Sequence, residues 1–174
     1  MSTERKLREC SEAFFDAFAA NAPPIKMLHY FSTTSPTFVQ HTPVECPHPL
    51  TSRVAGINAV RSYFDLLATH WTRSGASIRD ELEVDAANRR VIIPASVTWK
   101  WRQSGRAWRE DFIWTLGFDE SYKISSFIVQ TMSGGGTCIM RAVDSPEQNT
   151  EVMRAVDVDS AAAKVTRICA QASL

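Results

Sequence analysis

The sequence predicts an α+β fold in which N-terminal helices pack on an antiparallel sheet. Two early stretches, residues 4–20 and 57–71, carry apolar residues at helical spacing. From Ala76 to Thr131 the chain turns to alternating, β-prone runs. Ser104-Gly105 falls between two of those runs, where it reads as a hairpin turn. Helices first and strands afterwards is the α+β order.

Each element has a local reason. Leu7, Cys10, Phe14, Phe15 and Phe18 form one apolar stripe on the first helix, which Asn21-Ala-Pro-Pro ends. Pro23-Pro24 suits the start of a short second helix through Tyr30. Thr37 to His41 is a short strand closed by Thr42-Pro43, and Val44 to Arg53 is a loop. After Gly56, the stripe of Ile57, Val60, Phe64, Leu67 and Trp71 marks a third helix. Strands are then expected over Ala76–Val84, Val91–Arg102, Trp108–Phe118 and Ile124–Thr131. Ser133 and the glycines at 134–136 break the pattern. They divide a compact unit, residues 1–133, from a helical extension or arm, residues 134–174. That extension is expected to act as a lid, a dimer arm or an appendage.

The central hairpin is the most informative stretch. With period two, Val97, Trp99 and Trp101 share one face of its first strand. Trp108, Glu110, Phe112, Trp114, Leu116 and Phe118 share one face of the second. So much aromatic bulk must line a core or a pocket. A carboxylate placed among it needs a partner or a purpose, so Glu110 tips the reading towards a small-molecule cavity.

Composition narrows the function classes. The 174 residues are 44% hydrophobic and 22% charged, with a formal net charge of zero. Nothing draws the chain to nucleic acid or to an anionic membrane surface. No apolar run is long enough for a bilayer, and the charged N-terminus lacks a signal-peptide core. Cys10, Cys46, Cys138 and Cys169 have no paired spacing and read as reduced thiols of an intracellular, cytoplasmic protein. Cys46 and His48 near His41 lack a fourth metal ligand, so no metal is expected. Dinucleotide, phosphate-loop and Ser-His-Asp signatures are missing, so no cofactor is expected either.

Two motifs add a family resemblance. Arg53-Val-Ala-Gly56-Ile-Asn-Ala-Val60-Arg61-Ser-Tyr63-Phe64 resembles the G-x-x-A-I/V-R-x-F/Y helix of the ketosteroid-isomerase and SnoaL-like cyclase group. Phe118-Asp119-Glu120-Ser-Tyr-Lys123-Ile124 resembles the F-D-E-x-G-K/R-I hairpin of the same group. Both belong to the nuclear-transport-factor-like cone fold, and the match covers roughly residues 4–132. It implies a strongly curved sheet that forms a cone-shaped cavity, and a homodimer through the outer sheet face. It also implies that Val97, Trp99, Trp101, Glu110, Phe112, Trp114 and Phe127 point into the cone.

The resemblance places His41 where ketosteroid isomerases carry their general base. Trp114 stands where those enzymes carry an acidic oxyanion donor. The first helix offers Phe14, Phe15, Ala17 and Phe18 but no oxyanion tyrosine, so steroid isomerisation does not carry over. The expected activity is a cofactor-independent isomerase or cyclase acting on an apolar, oxygenated polyketide, terpenoid or alkaloid intermediate. His41 would be the general base or acid and Glu110 its partner. Val97, Trp99, Trp101, Phe112, Trp114 and Phe127 would shape the substrate, with Tyr30 and Arg53 within reach of it. A dehydratase would use the same pair. A non-catalytic ligand-binding or dimerisation module would instead fill the cone with its own tryptophans. The two classes differ in whether a cavity of several hundred Å³ has His41 and Glu110 on its wall.

Overall fold

A computed structural model describes residues 2–45 and 53–144. Helix α1, Thr3–Ala19, opens with the Ser2 hydroxyl accepting the Arg5 amide at 3.3 Å. Its stripe is buried at Leu7, Phe14, Phe15 and Phe18, while Cys10 is half-buried. Asn21, with φ of 54°, then turns the chain into the left-handed region. The short helix α2, Pro24–Leu28, begins on proline, whose missing N–H is no loss at a first turn.

Strand β1, Phe38–Pro43, runs two residues past the expected His41. Arg53–Ala55, expected as the end of a loop, pairs with it as the short strand β2. Helix α3 spans Ile57–His70 and buries Val60, Tyr63, Phe64 and Leu67. Trp71 caps it in an extended conformation and starts β3, Trp71–Ile78, without a loop. The expected strand over Ala76–Val84 is therefore two strands, β3 and β4, the latter Glu83–Asp85. Alternation misplaced it because β3 crosses a bulge between Ser74 and Ser77. A bulge shifts the period by one residue, and Gly75 there takes φ of 58°.

The long strands β5, Arg90–Trp101, and β6, Ala107–Phe118, form the central hairpin, and β7, Ile124–Thr131, follows. The sheet order is β2-β1-β7-β6-β5-β3, with β4 pairing the start of β5. It is mixed rather than wholly antiparallel, because β1 runs parallel to β7. No hairpin joins those two strands, so no turn dictates their direction. Beyond β7, two 3-10 turns, Gly135–Thr137 and Ile139–Arg141, pack back on the sheet. Thr137, Cys138 and Ile139 are buried, and the Trp108 indole donates to the Thr137 carbonyl at 2.9 Å. The packed unit thus runs past the glycines to include these turns. The rest of the expected arm, residues 145–174, lies outside the described residues.

The inner face of the sheet follows the alternation. Val91, Ile93, Ala95, Val97 and Trp99 are buried on β5, and Trp108 through Phe118 at every second position on β6. Helix α1 closes over them, with the Phe14 and Phe18 rings 5.3 and 4.9 Å from Trp114. Phe127 packs 4.8 Å from the same indole. The cone's interior is filled by aromatic side chains.

Candidate active site

Four adjacent strands and one helix bring polar groups together inside this apolar interior. His41 projects from β1 and is 3% exposed; Glu110 projects from β6 and is fully buried. The His41 Nε2 lies 3.0 Å from Glu110 Oε1, a buried ion pair. On its other side, His41 Nδ1 is 2.9 Å from the Tyr63 hydroxyl of α3. The Trp99 indole N–H donates to Glu110 Oε2 at 2.6 Å, and the Thr131 hydroxyl donates to Oε1. Strand register explains the convergence. Glu110 faces Val97 across the hairpin, Thr131 faces Phe112, and His41 lies beside Val129.

The electrostatics favour imidazolium. Burial alone would lower the His41 pKa, but Tyr63, Glu110 and Cys138 together carry it well above the ordinary histidine range. Burial also raises the Tyr63 pKa, with His41 opposing the shift. Protonated at both nitrogens, His41 donates to Glu110 and to the Tyr63 oxygen. The Tyr63 proton is then available to a further acceptor. Every contact on Glu110 comes from a donor, so its part is to hold the imidazolium while His41 carries the proton. Glu110 is thus paired inside the core, and its strand neighbour Arg109 pairs with Asp111 instead.

The tryptophan and phenylalanine positions sort into two groups. Val97, Trp99, Phe112, Trp114 and Phe127 are buried on the inner face. Trp101 is half-buried and packs, tilted, between Trp71 and Trp108, at 4.7 and 5.9 Å, at the hairpin end of β5. Two expected ligand contacts lie elsewhere. Tyr30 packs on Phe14 and lines an outer cleft of about 270 Å³ with Cys10, Tyr122 and Lys123. Arg53 is exposed on β2, its guanidinium 3.7 Å from the Phe38 ring centre. A second cleft, of about 570 Å³, involves Ser104, Arg106 and Asp144. Neither cleft is lined by His41 or Glu110.

Three partners of the pair escaped sequence reading. Tyr63 looked like a helix residue beside Phe64, although Val60 and Leu67 put it on the buried stripe. Thr131 ends a strand whose alternation does point it inward. Cys138 follows the glycines, within the stretch expected to form the arm. Its sulfur and the donor atoms of His41 and Glu110 lie within 4.8 Å of one another, which makes the three a possible ligand set. As arranged, the imidazolium and carboxylate serve each other, and a metal would have to displace the His41 proton to bind there. Cys46 and His48 lie outside the described residues.

Sequence comparison finds no matching family model and no matching curated protein. Structure comparison does find matches. A proposed isomerase from Bacillus subtilis is similar at a TM-score of 0.62 and 13% identity, covering 76% of this chain and 91% of that one. The BvnE pinacolase from Penicillium brevicompactum is similar at 0.60 and 12%, covering 75% and 85%. The epoxide hydrolase/cyclase-like enzyme SalBIII, described in pyran ring formation in the polyether salinomycin, is similar at 0.60 and 15%, covering 74% and 92%. This chain has the nuclear-transport-factor-like cone fold. In the cone fold described above, the base position of the resemblance is the place from which His41 meets Glu110. No helix among the described residues is long and apolar enough to cross a membrane.

Proposed function

We propose that this cone-fold protein is a cofactor-independent isomerase or cyclase that rearranges an apolar, oxygenated small molecule by proton transfer. The observation that carries the reading is the Tyr63–His41–Glu110 chain, a titratable relay buried in an aromatic shell. Through Tyr63, which gives its own proton to a substrate oxygen and takes one from His41, the pair protonates the substrate. It recovers a proton from carbon by the reverse path, while Glu110, itself held by Thr131, keeps the ring in place. Trp99 and Trp114 mould the apolar body. The similar structures include a pinacolase and a cyclase-like enzyme, which supports rearrangement of a polyketide-, terpenoid- or alkaloid-like intermediate. A dehydratase would use the same transfer to release water. Residues 134–141 close over the pair and carry Cys138 against it.

One observation favours a second reading. The aromatic filling, and the two clefts that miss the pair, suit a non-catalytic binding or dimerisation module. Deuterium exchange separates them. The protein is incubated in D₂O with a panel of α-acidic cyclic ketones, and label incorporation is followed by mass spectrometry. Catalysed exchange in the wild type should fall about 100-fold or more in His41→Gln and in Glu110→Gln. Undiminished exchange in both variants eliminates the mechanism, and no exchange with any ketone favours the module. The proposal includes a homodimer through the outer face of the sheet, where Ile92, Pro94, Ile113 and Ile128 are half-buried.

A further inference from the structure

One more charge is buried in the described core. Arg73 lies on the inward face of β3 and is 9% exposed. It joins none of the ion pairs formed by the described residues, and its Nε has no acceptor. The guanidinium sits 4.4 Å from the Phe18 ring centre, which offers a π face but no lone pair. Burial brings its pKa down to about 10, with Tyr63 opposing. A cation largely withdrawn from water with no counter-ion among the described residues is unfavourable, and buried donors in folded proteins are almost always satisfied.

Holding the strand does not explain the residue type. Asn21 brackets the backbone of Arg73, its Nδ2 donating to the carbonyl at 2.7 Å and its Oδ1 accepting the amide at 2.8 Å. Any residue at 73 would make those contacts. One same-face step back on β3, Trp71 is also buried, and its indole N–H also lacks a partner. The inner side of this edge strand therefore presents two donors for which the described protein supplies no acceptor.

The geometry points to a carboxylate-binding subsite at this end of the cone. Arg73 takes the acid group of a small organic acid that approaches at the sheet edge formed by β3, the Phe18 ring lying 4.4 Å from the guanidinium on its inner side. Trp99 is the cross-strand partner of Arg73, and its ring is 5.8 Å from Phe18, so the acid group has an aromatic wall beside it. The guanidinium fork suits the two oxygens of a carboxylate better than a lysine would. Trp71 offers a further donor to the same molecule. This inference stands apart from the proton-transfer reading, because binding requires no turnover.

Benzoate is the probe and benzamide its uncharged counterpart, titrated calorimetrically into the full chain. Benzoate should bind the wild type saturably, and about tenfold or more weaker to Arg73→Met. Arg73→Lys should retain part of the affinity, and benzamide should lose about as much as the methionine variant does. Arg73→Met should also resist urea at least as well as the wild type, since an unpaired buried cation does not stabilise the fold. Absence of saturable benzoate binding to the wild type overturns the proposal. So does equal affinity in Arg73→Met, or equal affinity for benzamide. Should Arg73→Met fail to fold, the lysine variant and the benzamide comparison still decide.

Discussion

His41 and Glu110 show how one polar residue at an inward position announces itself. Alternation alone put Glu110 among tryptophans, and the carboxylate needed a partner that the fold supplies at 3.0 Å. The pair has a consequence for stability. The folded His41 pKa is raised above its unfolded value of about 6.5. A raised folded value means the native state binds the extra proton. Its contribution is full below the unfolded pKa and is lost as pH rises through the folded one. Urea midpoints measured between about pH 6 and about pH 9 should therefore fall with rising pH, and His41→Gln should flatten that slope. A wild-type midpoint that rises over the same range would refute the imidazolium assignment. Other residues were hidden for definite reasons. Tyr63 lies on an apolar helix stripe, where a tyrosine reads as packing. Arg73 precedes the bulge that displaced the strand assignment, so no face could be given to it.

Elements were legible where periodicity ran unbroken. The strand Ile124–Thr131 has the expected bounds, and α3 ends one residue short of its expected end. Boundaries failed where a bulge or a direct helix-to-strand junction replaced a loop, as at Trp71. The edge strand β3 is held there by an unusual clamp. Asn21, in a left-handed conformation after α1, covers the open backbone of Arg73 with both ends of its amide. Edge groups left open cost hydrogen bonds and invite mispairing. Asn21→Ala should lower stability by about 1–2 kcal/mol, read by chemical denaturation. It should also speed amide exchange in β3 more than in β6. Exchange raised equally across the sheet would show that the clamp is not local.

For the whole molecule, the sequence reveals which residues face inward but not which strands are neighbours. Period two assigns a face, and the hairpin turn fixes β5 against β6. Nothing in either property pairs β1 with β7, or sets them parallel. The filled interior was equally illegible, because wall and filler call for the same aromatic residues. The outer face carries the last prediction. If the proposed dimer forms there, Ile113→Lys should shift sedimentation from dimer to monomer while leaving the far-UV circular dichroism unchanged. A dimer that survives the lysine must use another surface.

The parallel pairing of β1 with β7 also bears on how the protein is made. His41 and Glu110 are 69 residues apart, and the strand between theirs in the sheet, β7, is the last of the described strands to leave the ribosome. Until Ile124–Thr131 emerges, β1 has no inner neighbour and nothing sets the histidine beside Glu110. A nascent chain at that stage holds α1 phenylalanines and hairpin tryptophans without a finished core, the kind of surface that chaperones recognise. Synthesis interrupted before β7 would yield a chaperone client, not a smaller working protein.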